Sequence, residues 1–243
     1  MTQSTLFCDF DGPIVDVSER YYRTYRRGLE RLQALAVATG GEIPIRYLSK
    51  AQFWTFKQNR VPDRQIAHWS GLEGPQIDAF LEQVSHLVNH PSLLIHDQLQ
   101  GKAQAGLSML QQGGVRVVIV TLRPPEQVVS FLARHGLEQA ISDLYGMPTD
   151  QAAYQNQTHH KIERLQAAMA TQKSRGYDLT HAWMIGDTEA DIMAGQALGI
   201  ETVAVTCGIR SQSYLQSFQP TYLLPNLWTA AQRLQQQVML GRR

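Results

Sequence analysis

Apolar residues along the chain gather in six short runs: Thr5 to Phe10, Val115 to Thr121, Asp143 to Met147, His181 to Gly186, Glu201 to Thr206 and Thr221 to Leu224. Runs of this length, rich in β-branched and aromatic residues and closed by turn-forming residues, predict buried strands. Between the later runs lie segments with helical periodicity, Lys102 to Gln112, Pro125 to His135 and Ala190 to Leu198. Each is followed by a glycine, at Gly113, Gly136 and Gly199, where a left-handed cap is expected. Strands alternating with helices predict an α/β fold in which helices cover both faces of a parallel sheet.

One interval breaks this rhythm. Between Asp16 and Asp97 the pattern is helical (Glu19 to Thr39, Ser49 to Gln58, Pro75 to Asn89) with no convincing strand, and Pro44, Pro62 and Pro91 punctuate it. It reads as a helical domain over residues 17–96 inserted into an α/β core formed by residues 1–16 and 97–243, with Asn89-His90-Pro91 as a return hinge. The last segment, Asn226 to Leu240, places Leu227, Ala230, Ala231, Leu234 and Val238 on one helical face, which predicts packing on the sheet.

Composition narrows the function classes. Of 243 residues, 43% are hydrophobic and 18% charged, and the net charge is +1, so no whole-chain field recommends nucleic acid or an anionic membrane as partner. Two cysteines, Cys8 and Cys207, both inside apolar runs, imply no disulfide framework and fit a reducing compartment. Met1 to Thr5 carry no basic, apolar leader and no run is long enough to span a bilayer, so the expected location is the cytoplasm.

Candidate chemistry sits where the predicted strands end. In Cys8-Asp9-Phe10-Asp11-Gly12 two carboxylates two residues apart project together as the chain leaves the sheet, although Asp-Gly is also an ordinary turn dipeptide. Two like charges ~4 Å apart repel by about 4 kcal/mol at an effective dielectric of ~20, so such a pair calls for a cation, a shared proton or open water. Val117 to Val120 end in Thr121, whose hydroxyl can bind a phosphate oxygen or a loop amide; Leu122 offers a backbone amide and Arg123 a fork for an oxyanion. Lys161 opens a helical segment. In Gly186-Asp187-Thr188-Glu189-Ala190-Asp191 the two aspartates lie one helical turn apart, and their hard oxygens favour Mg²⁺ over zinc or iron, or else they answer the helix dipole. Parallel sheets bind ligands at their carboxyl ends, where Asp9, Thr121 and Asp187 all fall.

In this order the motifs DFDGPIVD (9–16), VIVTLR (118–123), Lys161 and GDTEADIMAG (186–195) resemble the haloacid dehalogenase-like hydrolase superfamily, specifically its phosphatases with a helical cap inserted after the first motif. The resemblance covers the whole core. It implies a Rossmann-like sheet of strand order 5-4-1-2-3 and a Mg²⁺-dependent phosphatase acting on a small phosphomonoester through an aspartyl-phosphate. Asp9 would then be the nucleophile and Asp11 the general acid and base; Mg²⁺ would be held by Asp9, the Asp11 carbonyl and Asp187, with Asp191 acting through a water or orienting Lys161. Thr121, the Leu122 amide and Lys161 would bind the phosphoryl oxygens. The cap would close over the site and read the leaving group, with Lys57, Arg60 and Arg64 as its candidate anion-reading side chains; Arg123, at the end of the second motif, is a further candidate specificity residue. A carboxylate at Asp11 separates the chain from the family's dehalogenases, and Ile162 stands where phosphoglycolate phosphatases carry proline. The expected partner is a small phosphorylated metabolite; a sugar phosphomutase and a non-turnover phosphate-binding module are the alternatives. None of these motifs bears on oligomeric state.

Overall fold

The computed structural model describes residues 4–148 and 156–240, and the side chains up to residue 237. All six predicted strands are present, trimmed at their ends: β1 (Thr5–Cys8), β4 (Arg116–Val120), β5 (Asp143–Tyr145), β6 (Trp183–Gly186), β7 (Glu201–Val205) and β8 (Tyr222–Leu224). They form one sheet in the order β5-β4-β1-β6-β7-β8, and every pairing in it is parallel. Counting only these strands, the order is 6-5-4-1-2-3: the expected 5-4-1-2-3 with a sixth strand at one edge.

The order reverses between β1 and β6, which makes their carboxyl ends the crevice of the sheet. Cys8 is level with Ile119 on one side and Ile185 on the other. The next residue out, Asp9, therefore leaves the sheet beside the ends of both neighbours, and its amide still donates to the Ile185 carbonyl at 2.8 Å.

Alternation along the strands sorts side chains to two faces. Phe7, Val118, Val120 and Met184 pack on one face against Leu165 and Ala168 of α8 (Thr158–Ser174) and Ala194 of α9 (Glu189–Ala197). Elsewhere in the core, α6 (Ala103–Gln112) packs with α11 (Leu227–Leu240), where Gly106 allows the Leu227 backbone to come close. Leu227, Ala230, Ala231 and Leu234 are fully buried, as their helical spacing predicts. Val238, expected on that face, lies outside the residues whose side chains are described. Helix α7 (Pro125–His135) spans the predicted residues.

Several local readings change. Gly136 and Gly199 take the left-handed cap, but Gly113 does not: its φ is −76°, Gln235 packs against its Cα, and Gly114 adopts the positive φ instead. Cys207 lies beyond the end of β7, half-buried in a turn, because the strand stops where the backbone bends toward the site.

The chain divides into two compact units, residues 1–16 with 98–243 and residues 17–97. A two-residue antiparallel ladder, β2 (Val15–Asp16) with β3 (Gln98–Leu99), closes the first unit where the insertion departs and returns. The second unit is helical, with α1 (Ser18–Ala38), α2 (Lys50–Gln58), α3 (Asp63–Trp69), α4 (Pro75–Leu87) and α5 (Pro91–Leu94). Helices α3 and α5 were not predicted, and α5 occupies the expected hinge, since Pro91 suits the first helical position. Its core is aromatic: Tyr25 stacks on Phe53 at 4.9 Å and meets Phe80 edge-on at 6.2 Å, and its hydroxyl is shared with Ser70 at 2.8 Å. No helix among the described residues is long and apolar enough to cross a membrane.

Candidate active site

Four charged side chains from three distant stretches of chain meet at the crevice. Lys161, in the first turn of α8 and 1% exposed, places its ammonium 2.9 Å from Asp9 Oδ1, 2.9 Å from Asp191 Oδ1, and donates to the Val120 carbonyl at 3.2 Å. The contact with Asp191 is an ion pair without hydrogen-bond alignment. Asp9, Asp187 and Asp191 are all buried, and one oxygen of each lies within 4.8 Å of the others.

Each carboxylate is fixed by local structure. Asp9 Oδ1 accepts from the Phe10 amide at 2.7 Å. Asp187 Oδ2 accepts from the Ile209 amide at 2.6 Å. Asp191 Oδ2 accepts from the Thr188 amide at 3.1 Å and hydroxyl at 2.7 Å, one half of a capping box that starts α9. Three glycines wall the cluster: a Cβ on Gly12 or Gly208 would overlap Asp187, and one on Gly186 would overlap Asp191.

Sequence motifs located these aspartates with Gly12 and Gly186 beside them, but not the Gly208 loop that completes the wall. Gly208 and Ile209 contribute backbone only, and the signal that could have found them is that Cys207-Gly208-Ile209 follows another strand's carboxyl end. The same loop carries Arg210, buried in a forked pair with Glu189 at 2.8 and 3.4 Å. Gln100 ties loops together by donating to the carbonyls of Gly12 at 3.2 Å and Cys207 at 3.0 Å.

The other predicted residues are placed as follows. Thr121 is buried one residue past β4 and its hydroxyl oxygen accepts from the Arg123 amide at 3.2 Å; Leu122 is buried beside it. Asp11 turns its Oδ1 to Arg123 Nη1 at 2.9 Å. Lys57 and Arg60 belong to the helical unit. There Lys57 pairs with Asp63 at 2.6 Å and lies over the Tyr21 ring at 5.8 Å, while Arg60 follows α2 with φ +58°.

The electrostatics ask for positive charge. Three buried carboxylates face one ammonium, so full ionisation leaves two negative charges uncompensated by that lysine. Burial pushes Asp9 up to about 7, with Lys161 pulling it down and Asp191 pushing it further up. Burial, then the charges of Asp191 and Asp9, hold Asp187 well above the usual carboxylate range. For Lys161 burial works against the charge, but the pairs with Asp191 and Asp9 prevail and hold the ammonium above lysine's usual range. Hard oxygens with residual negative charge fit a divalent cation of the magnesium or calcium class, and Asp9, Asp187 and Asp191 could hold it.

This has a testable pH dependence. Between an unfolded value near 3.8 and a folded value of about 7, native Asp9 keeps a proton that the unfolded chain has released. The unfolded state then binds fewer protons, so the group's contribution to metal-free stability falls as pH rises through that window. Cation binding needs the ionised form and gains over the same range. The rise in Tm produced by Mg²⁺ is therefore expected to be larger at pH 8 than at pH 5 in thermal-shift measurements; an increment that is flat or shrinks with pH would contradict the arrangement.

Comparison with known proteins finds similarity to hydrolases. A family model described as HAD-hydrolase-like matches residues 157–230, the stretch carrying Lys161, Asp187 and Asp191. The pyrophosphatase PpaX of Oceanobacillus iheyensis is 29% identical over 50% of this chain and 53% of its own length, so the chain spans about half of that relative. The phosphoglycolate phosphatase of Colwellia psychrerythraea is 26% identical over 90% of this chain and 92% of its own. A haloacid dehalogenase-like family hydrolase from Streptococcus pneumoniae shares the fold, with TM-score 0.67, 17% identity, and coverage of 96% of this chain and 98% of that one. In motif order on the strands, in the family match across the lysine and second acidic motif, and in fold, this chain is similar to haloacid dehalogenase-like hydrolases.

Proposed function

We propose that the chain is a cytoplasmic, Mg²⁺-dependent phosphatase of small phosphorylated metabolites that works through an aspartyl-phosphate on Asp9. The observation that carries this reading is the convergence of Asp9, Asp187, Asp191 and Lys161 at the switch point of the sheet.

Asp9 Oδ1 is held by the Phe10 amide and Lys161, which leaves Oδ2 to attack phosphorus in line. The bond from phosphorus to the leaving oxygen breaks as Asp11 gives that oxygen a proton. Asp11 then takes a proton from the water that hydrolyses the acyl phosphate, which returns Asp9 as a carboxylate and releases inorganic phosphate. Thr121 already accepts from the Arg123 amide, so its own O–H can point to a phosphoryl oxygen. Lys161 and the Leu122 amide complete the anion site. Mg²⁺, held by Asp9, Asp187 and the Asp11 carbonyl with Asp191 beside them, would offset carboxylate charge and polarise the phosphoryl group. The helical unit would read the rest of the substrate, through Lys57 and Arg60.

The test is a screen of phosphometabolites with and without Mg²⁺, beginning with inorganic pyrophosphate and 2-phosphoglycolate, which the relatives' names suggest. Mg²⁺-dependent release of inorganic phosphate is the expected result. Conservation of organic phosphate would mark a mutase, and a stable phosphoprotein without turnover would mark a regulatory module.

A further inference from the structure

Arg123 is 2% exposed, and its contacts run toward the same crevice. Its Nη1 lies 2.9 Å from Asp11 Oδ1, its Nε donates to Gln127 Oε1 at 3.3 Å, and its Cζ sits 5.3 Å from the centre of the Phe10 ring. Phe10, between the two aspartates of the first motif, is in turn held edge-on by Phe131 of α7 at 5.4 Å. The backbone of Arg123 is equally constrained: its amide donates to Thr121 Oγ1 at 3.2 Å and its carbonyl accepts from the Met147 amide at 3.1 Å. Pro124 and Pro125 follow and fix the entry into α7. A Cβ on Gly146 would crowd the Arg123 carbonyl, so the chain at Gly146 is packed directly on it.

An exposed arginine used only for solubility needs none of these restraints. We infer that Arg123 is a positioning residue for Asp11: its guanidinium, clamped by Gln127 and the Phe10 ring, holds the Asp11 carboxyl in the orientation from which the proton passes to the leaving oxygen. The inference rests on the phosphatase reading above, in which Asp11 is the acid and base. Arginine suits the task because its planar fork keeps direction, whereas lysine is a flexible point charge. Orientation matters most where proton transfer is hardest. Alkyl phosphates expel a strongly basic alkoxide and need the acid, while p-nitrophenyl phosphate expels a weakly basic phenolate and needs it little.

The test measures kcat and KM for β-glycerol phosphate and p-nitrophenyl phosphate, with Mg²⁺, in wild type, Arg123→Gln, Arg123→Lys, Asp11→Asn, the Asp11→Asn/Arg123→Gln double variant and Asp9→Asn. For Arg123→Gln the expected loss in kcat is roughly 100-fold on the alkyl ester, the low end of what a general acid supplies, and under about 5-fold on the aryl ester, with KM little changed. Arg123→Lys should recover part of the alkyl activity, and the double variant should be no slower than Asp11→Asn alone. Equal losses on both esters, a change in KM alone, or fully additive losses in the double variant would overturn the inference, as would Arg123→Lys behaving no better than Arg123→Gln. Failure of the underlying reading looks different: Asp9→Asn would keep wild-type turnover, or wild type would turn over neither ester, and the inference would fall with it.

Discussion

Asp9→Asn is expected to lower Mg²⁺-dependent phosphate release by roughly 10⁴-fold or more, the scale seen when a covalent nucleophile is lost. The substitution keeps the side chain's size and an oxygen that can accept from the Phe10 amide. It also removes one of three crowded acidic groups. Burial already raises Asp9 to about 7, so at pH 8 its ionisation inside the fold costs stability relative to the unfolded chain. The metal-free variant should therefore melt at pH 8 no lower than wild type while losing turnover. Retained turnover would remove the proposed nucleophile; a large drop in Tm would instead mean that Asp9 is chiefly structural.

The second large effect belongs to Lys161. Lys161→Met conserves length and apolar volume but leaves Asp9 and Asp191 without the ammonium 2.9 Å from each. Removing one member of a buried ion pair costs about 3–5 kcal/mol. For a chain of this size that corresponds to a fall in Tm of roughly 10 °C. Turnover should fall with it, since the same ammonium serves the phosphoryl oxygens. Much of the loss is the cost of unpaired carboxylates, so adding Asp191→Asn should return part of the stability without returning activity. A double variant no more stable than Lys161→Met would contradict that account, as would a Lys161→Met protein that melts within 2 °C of wild type, a margin below the roughly 1 kcal/mol such a chain would lose over a few degrees.

What could be read from the amino-acid order follows from how local each signal is. The inner sheet strands announce themselves because a strand buried on both faces must be continuously apolar, as Val117 to Val120 and Trp183 to Ile185 are; the edge strands β5 and β8 are only half-buried. Asp187 and Asp191 were legible because one helical turn separates them. Helix α3 was not, since Asp63–Trp69 is short and mostly polar, and its stability comes from burying Ile66 and Ala67. The β2–β3 ladder joins Val15 to Leu99, a partner that no window around either residue contains. At the site, the missed contributors are backbone groups or long-range pairs. The Ile209 amide has no letter of its own, and Asp11 meets Arg123 across 112 residues of sequence.

The glycine wall carries a consequence for how such an enzyme can diversify. Where Gly12, Gly186 and Gly208 press bare α-carbons onto Asp187 and Asp191, any larger amino acid would displace the acids themselves. Libraries that randomise these three codons should yield almost entirely inactive clones, while libraries over residues 17–97 should retain catalysis and spread in preference. On the proposed phosphatase reading, the chemistry is thus locked by what is missing at three α-carbons.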